Sequence, residues 1–217
     1  MLDQARFLKG FLRSPREVGS IIPSSRFLER RIRRTIDVAQ APVVVELGPG
    51  TGGTTQAVLA DMPADATLLA IDTNPAFIKR LQAIDDPRLI AQQDSAESLA
   101  ALIRGHELAA PSVIFSGIPF STMPAAIANA ITDHIWAALA PGGRFMAYQF
   151  RPDVARYGNA RFGAPLCERE WLNIPPMWFF AWDKPMTAPS TRADISAAPA
   201  AAPVPAAAQQ GNRAQSE

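Results

Sequence analysis

Short apolar runs and amphipathic stretches alternate along the middle of this chain. Residues 41–48 (APVVVELG) are a β-branched run that closes on glycine, and residues 54–62 (TTQAVLADM) follow with helical character. The couplet recurs at 66–72 (ATLLAID) and 75–84 (PAFIKRLQAI), then at 88–94 (RLIAQQD) and 95–105 (SAESLAALIRG). It recurs once more at 111–117 (PSVIFSG) and 124–139 (PAAIANAITDHIWAAL), where Pro141-Gly142 stops the helix before a fifth run, GRFMAYQF at 143–150. Strands separated by helical segments of about 10–15 residues predict βαβ units and a parallel sheet. The runs are apolar on both faces, as strands covered by helices on both sides must be, so the fold class is α/β with a doubly wound sheet. After Phe150 the periodicity loosens, and CEREWLNI and MWFFAW read as two closing strands.

The ends differ from the middle. At 100° per residue, Ala5, Phe7, Leu8, Phe11 and Leu12 fall within an arc of about 160°, with Arg6, Lys9, Arg13 and Arg16 in an arc of about 80° opposite. Leu2 and Gln4 break the pattern, and Pro15 predicts a helix end at Ser14. Two readings stand: a surface helix packed on its own domain, or an interfacial helix with Phe and Leu in the membrane and Lys/Arg at headgroup level. No stretch of 18 apolar residues exists to span a bilayer, and the interrupting basic residues do not fit a signal peptide. From 186 to 217 the chain is rich in Ala and Pro with no aromatic residue, a composition that predicts a disordered tail. The expected organisation is a basic N-terminal region at 1–40, a catalytic domain at 41–185 and the tail.

Composition narrows the chemistry. One cysteine, Cys167, excludes an internal disulfide, and two histidines, His106 and His134, disfavour a metal centre. With no histidine near it in sequence, Cys167 is a poor candidate nucleophile. The formal charge of +1 conceals an asymmetry. Residues 1–40 hold nine basic and four acidic residues, leaving +5, and the remainder holds twelve and sixteen, leaving −4. A basic arm on a mildly acidic body suits anionic lipid or nucleic acid.

The first strand ends in Glu46-Leu47-Gly48-Pro49-Gly50-Thr51-Gly52-Gly53. Gly48, Gly50 and Gly53 match a dinucleotide fingerprint, which alone is a weak signal. The acids sharpen it. Glu46 precedes the glycines, Asp72 ends the second strand twenty residues after Gly52, and Asp94 ends the third. Carboxylates at successive strand tips lie where an open α/β sheet binds ligands. There Asp72 suits a ribose diol and Asp94 an adenine amino group. The residues alone call for a nucleoside cofactor, NAD among the candidates.

The E-x-G-x-G-x-G form followed by these acids resembles the S-adenosylmethionine-dependent methyltransferases with a Rossmann-like, mostly parallel seven-stranded sheet. The resemblance implies S-adenosylmethionine held by Glu46, Gly48, Gly50, Gly52, Asp72 and Asp94. Ser95 and Ser116, beside the tips of the third and fourth strands, complete the expected set. Ser116-Gly117-Ile118-Pro119-Phe120 resembles the N-L-P-Y acceptor loop of the rRNA adenine dimethyltransferases, with Gly117 in place of Asn and Phe120 in place of Tyr. Backbone carbonyls there would aim an amine lone pair. Phe120 and Tyr148 are either cation–π partners of the methylated product or ordinary core aromatics.

A more specific resemblance spans about residues 7–182. Phe11-Leu12-Arg13-Ser14-Pro15-Arg16, Val18-Gly19-Ser20, Pro23-Ser24-Ser25-Arg26, the two loops just described, Pro141-Gly142-Gly143-Arg144, Tyr148-Gln149-Phe150 and Trp171-Leu172-Asn173-Ile174-Pro175-Pro176 resemble the bacterial phospholipid N-methyltransferases. The family implies stepwise methylation of phosphatidylethanolamine to phosphatidylcholine at the inner face of the cytoplasmic membrane. In it, Gly117, Ile118, Pro119, Phe120 and Tyr148 would meet the acceptor. Phe7, Leu8, Lys9, Phe11, Leu12, Arg13, Arg16, Arg30 and Arg33 would meet lipid. Ser24 and Ser25 either cap the next helix or close over the donor. The Arg30–Arg34 cluster is either a phosphate contact or a solvated helix face. The expected partner is an anionic membrane, with no metal, no nucleic acid and a monomer in solution. The alternatives are an rRNA adenine N6-methyltransferase or an enzyme for another aminolipid.

Overall fold

The computed structural model describes residues 25–173 and 175–186. The expectations for residues 1–24, including the amphipathic helix and Ser24, and for the tail from 187 lie outside them. The chain runs α1 (Arg26–Ile36), β1 (Val43–Leu47), α2 (Gly53–Leu59), β2 (Thr67–Asp72), α3 (Pro75–Leu81), β3 (Leu89–Gln93) and α4 (Leu99–Gly105). It continues through β4 (Val113–Ser116), α5 (Ala125–Ala138), β5 (Arg144–Gln149), α6 (Asp153–Phe162), β6 (Leu166–Glu170) and β7 (Met177–Asp183). Seven strands form one sheet in the order β3-β2-β1-β4-β5-β7-β6, parallel from β3 to β5, with β7 antiparallel to both neighbours. This is the expected Rossmann-like α/β architecture.

Strand alternation sends neighbouring side chains to opposite faces. Val44, Phe115, Met146 and Phe179 pack beneath α1 and α2, and Val45, Ile114, Phe145 and Phe180 pack against α4, α5 and α6. Helix α1 is part of this body. Leu28, Ile32 and Ile36, four residues apart, bury one stripe against the sheet. The Ser25 hydroxyl accepts from the Leu28 amide at 3.2 Å as the N-cap. Of its arginines, Arg31 reaches Glu168 and Glu170, and Arg33 pairs with Asp61, so the cluster is not uniformly a free solvated face. Arg26, Arg30 and Arg34 are exposed.

Two features depart from the periodicity. Helix α6 fills a stretch where the pattern predicted none, and β6 stops at Glu170, leaving Trp171 and Leu172 in the turn before β7. Helix α6 buries Val154, packs Phe162 against Phe145 and Trp182, and brings Gly158 directly under Trp182. A Cβ there would sit 2.7 Å from Trp182 Cη2.

Candidate active site

The carboxyl ends of β1 to β5 open into a cleft of about 380 Å3, within the usual range for small-molecule sites. Gly48, Gly50, Asp72, Asp94, Ser95, Gly117, Ile118, Pro119 and Tyr148 all line it. The strand-end turn that builds one wall needs glycine. Gly48 holds φ at +74°, and a Cβ on it would press to 3.3 Å from the Ile118 amide nitrogen.

Asp72 is half-buried at the tip of β2. Its Oδ2 accepts from the Gly50 amide at 3.2 Å and its Oδ1 from the Asn74 amide at 2.9 Å. These bonds tie the acid to the glycine turn. Burial nonetheless raises its pKa above the ordinary carboxylate value, the amide hydrogen bonds of Asn74, Gly50 and Thr73 opposing. One strand further, the Asp94 amide donates to the Asp72 carbonyl at 3.1 Å. Asp94 Oδ1 accepts from the Ser95 amide at 2.6 Å and from Ser98 Oγ at 2.7 Å, and its Oδ2 has no hydrogen-bond partner among the described residues. Two carboxylates with spare acceptor capacity, flanking a wall without side chains, fit a ribose diol and an exocyclic amine.

The acceptor side is the turn after β4. The Gly117 amide donates to the Leu47 carbonyl at 2.9 Å, which holds this loop against the glycine turn. A Cβ on Gly117 would lie 2.6 Å from Tyr148 Oη and 3.1 Å from the Gly48 carbonyl oxygen. Gln149 Nε2 donates to the Ile118 carbonyl at 2.5 Å, while its buried Oε1 has no partner among the described residues.

Several expected residues lie behind the cleft. Glu46 is fully buried, with Thr54 and Thr55 hydroxyls donating to its two oxygens, the latter at 2.6 Å. Gly52, at φ +86°, caps α2 from behind the turn. Ser116 Oγ accepts from the Ile118 amide at 3.2 Å and shapes the acceptor loop from within. Phe120 departs from the cation–π expectation. Its ring packs 6.2 Å from that of Tyr157 in the core, because the short 3-10 turn at Phe120–Thr122 points it inward. Ser25 caps α1 and donates to Asn173 Oδ1 at 2.7 Å, on the rim and away from the lining. Arg33 is committed to Asp61, leaving Arg30 exposed.

The lining also includes residues that sequence reasoning passed over, notably Thr51, Thr73, Phe77, Gln149, Arg151 and Met177. The placement of Thr73 one residue after Asp72 was a usable signal. Phe77 and Met177 carried none, since in sequence they read as ordinary helix and strand positions, and Gln149 entered only inside the Tyr148-Gln149-Phe150 segment.

The sheet order and the antiparallel β7 are those of the Rossmann-like methyltransferase fold. No family model matches the chain. By sequence it is similar to the ornithine lipid N-methyltransferase of Singulisphaera acidiphila, 26% identical over 179 residues that cover 81% of this chain and 93% of that protein. By structure it is similar to the N-methyltransferase NodS of Bradyrhizobium japonicum in complex with S-adenosyl-L-homocysteine. That match has a TM-score of 0.57 at 14% identity, over 78% of this chain and 96% of that one. It is also similar to the 1,6-didemethyltoxoflavin-N1-methyltransferase of Burkholderia thailandensis with bound S-adenosylhomocysteine, at a TM-score of 0.58 and 17% identity, over 84% and 89% of the two chains.

Proposed function

We propose that this chain is an S-adenosylmethionine-dependent methyltransferase that N-methylates an aminolipid headgroup at a membrane surface. The observation that carries this reading is a single cleft with two strand-tip carboxylates on one side and a bare acceptor loop on the other. S-adenosylmethionine, when bound, supplies an electrophilic methyl group on a sulfonium. Asp72 holds the ribose hydroxyls, Asp94 with Ser95 the adenine edge, and the glycine turn the remaining chain. The acceptor loop of Gly117, Ile118 and Pro119 orients the amine, so that the chain contributes chiefly by positioning.

The similarity to a lipid N-methyltransferase over most of both chains supports an aminolipid acceptor. The surface supports it too. Because β7 reverses and β6 reverses again, the β6–β7 turn lies at the same edge of the sheet as the cleft, and Met177 and Leu28 line its mouth. Beside them Trp171 and Leu172 are 65% and 64% exposed, and Arg169 lies 4.1 Å from the Trp171 ring centroid. Arg26 and Arg30 are exposed on α1, which meets this turn through Ser25 and Asn173. Aromatic and aliphatic side chains next to exposed arginines suit an anionic bilayer interface. No helix among the described residues is long and apolar enough to cross a membrane. The place of action is the inner face of the cytoplasmic membrane, reached as a peripheral monomer.

The preferred acceptor is phosphatidylethanolamine, carried stepwise towards phosphatidylcholine. The relative named above favours ornithine lipid as the second reading. Expression in cells that lack phosphatidylcholine, followed by lipid mass spectrometry, tests both. Methylated phosphatidylethanolamine species support the first and methylated ornithine lipid the second. Neither, with folded protein that binds S-adenosylmethionine, removes the aminolipid reading.

A further inference from the structure

The cleft carries opposite charges on its two sides. Among the described residues that line it, the charged side chains are Asp72, Asp94 and Arg151. Asp72 ends β2 and Asp94 follows β3, on the donor side. Arg151 follows β5, and β1 and β4 stand between β5 and β2 in the sheet. The arginine therefore belongs with the acceptor loop, which follows β4. Gln149, two residues before it, donates to the Ile118 carbonyl of that loop. A cation on this side is a poor fit to a plain amine. The acceptor amine arrives as an ammonium, and like charges in a partly desolvated cleft repel. The conflict disappears when the acceptor carries an anion of its own.

Arg151 is placed for such a group. Its Nε donates to Asp153 Oδ2 at 3.1 Å, and its guanidinium makes no other hydrogen bond among the described residues. That pair lies at the surface, with the Arg151 side chain 73% exposed, and exposed pairs of this kind contribute little. The two terminal nitrogens are left as a planar fork, which takes a phosphate or a carboxylate through two parallel bonds. Depth agrees as well. Arg151 is exposed at the mouth, whereas Gly117 and Ile118 are half-buried, against Tyr148 and Gly48. In an aminolipid the amine ends the headgroup and the anion stands nearer the acyl chains. An amine at the loop leaves the anion towards the mouth, on the side of Arg151.

We propose that Arg151 is a headgroup-anion subsite, holding the phosphate or carboxylate of a zwitterionic aminolipid at the mouth of the cleft while the amine enters the loop of Gly117, Ile118 and Pro119. The subsite rests on the aminolipid reading and adds to it the requirement of a zwitterion. It also selects, because a lipid amine without an anion brings nothing to offset the guanidinium.

The test uses the full chain with S-adenosylmethionine and mixed micelles of an uncharged maltoside detergent that contain phosphatidylethanolamine or ornithine lipid. An uncharged micelle removes bulk attraction to an anionic surface from the comparison. Wild type is compared with Arg151→Gln, Arg151→Lys and Asp153→Asn, all at exposed positions where folding is little affected. Arg151→Gln should raise KM for the acceptor at least about 10-fold. Its kcat should change less, since the lost bonds hold substrate and transition state alike. Arg151→Lys keeps the charge without the fork and should fall between. Asp153→Asn frees the guanidinium and should hold or lower KM. Phosphatidylethanolamine is the arm for phosphate and ornithine lipid the arm for carboxylate, so a rise confined to one names the anion. Donor Kd by calorimetry should stay at the wild-type value throughout. Folded Arg151→Gln with the wild-type KM for every lipid that wild type methylates overturns the subsite. So does a donor Kd weakened by the same factor as KM, which would give the arginine to the donor. Wild type that binds donor and methylates neither lipid overturns the aminolipid reading and the subsite together, a result distinct from an active Arg151→Gln enzyme with unaltered KM.

Discussion

The phenol oxygen of Tyr148 occupies the space into which any side chain on Gly117 would grow, with a Cβ there placed 2.6 Å from Oη and 2.9 Å from Cζ. The glycine is therefore the partner of the tyrosine. The adenine dimethyltransferase loop that this turn resembles has an asparagine at that position, and here the phenol oxygen stands in its room. The two acceptor sides offer different chemistry, an amide in one and a single phenol hydroxyl in the other.

Replacing that glycine tests the relationship. Gly117→Ala forces the Tyr148 ring or the loop to shift, and a displacement of about 1 Å at a reacting centre costs about 100-fold in rate. Methyl transfer should fall by that order while S-adenosylmethionine binding by calorimetry weakens less, because the same Cβ meets Gly48 of the donor wall at a longer 3.1 Å. Unchanged kcat in Gly117→Ala would show that the phenol's place is immaterial.

Asp72 holds the glycine turn through Gly50 as well as offering oxygens to the cleft. Hydrogen bonds to a charged group contribute about 1.5–3 kcal/mol each. Asp72→Ala should therefore weaken donor binding by at least about 10-fold in calorimetry. Full-strength binding would mean that the ribose lies elsewhere.

Stability should carry the signature of Glu46. Its carboxyl titrates near 7 in the folded chain against an ordinary 4.5, so between those values the folded state holds more protons than the unfolded one. The contribution is fully present below about 4.5 and is lost as pH rises through about 7. At about 1.4 kcal/mol per unit, the loss is on the order of 3 kcal/mol. Urea unfolding at pH 5 and pH 8 should show this fall in wild type and a smaller one in Glu46→Gln. Asp72, raised in the same direction, remains in both. Equal falls in the two proteins would refute the assignment.

The rim offers a separable test. Trp171 and Leu172 are exposed, so Trp171→Ser with Leu172→Ser should leave thermal unfolding nearly unchanged. Pelleting with anionic vesicles should weaken, more than with neutral ones once Arg30→Ser is added. Pelleting equal to wild type would remove this turn from the membrane contact.

Much of the fold was legible because its strands are buried on both faces and read as continuous apolar runs, as VVVEL and TLLAID do. Asp72 and Asp94 were legible because, with Glu46, they put acids at three successive strand tips, where one alone reads as an ordinary turn residue. Helix α6 was not, since Gly158 and the polar Arg156, Asn159 and Arg161 interrupt the apolar set of Val154, Tyr157 and Phe162 that packs on the sheet. Glu46 was seen as an acid beside the glycines, but its direction follows from strand alternation. It points to the face of Val44, under α2, where Thr54 and Thr55 meet it. Phe120 read equally as a cation partner or a core aromatic from its place in the loop, and the inward 3-10 turn sends it to the core.

The reversed seventh strand settles where attachments can go. Ser25 sits at the mouth of the cleft through its bond to Asn173, whereas β7 pairs Asp183 with Arg144, the first residue of β5, and so delivers the chain to the far edge of the sheet. A protein tethered to a solid support from beyond Met186 presents its mouth outward to vesicles in suspension. One tethered from ahead of Ser25 holds the mouth against the support. The orientation of immobilisation, rather than any change in the enzyme, then decides whether lipid can reach Tyr148.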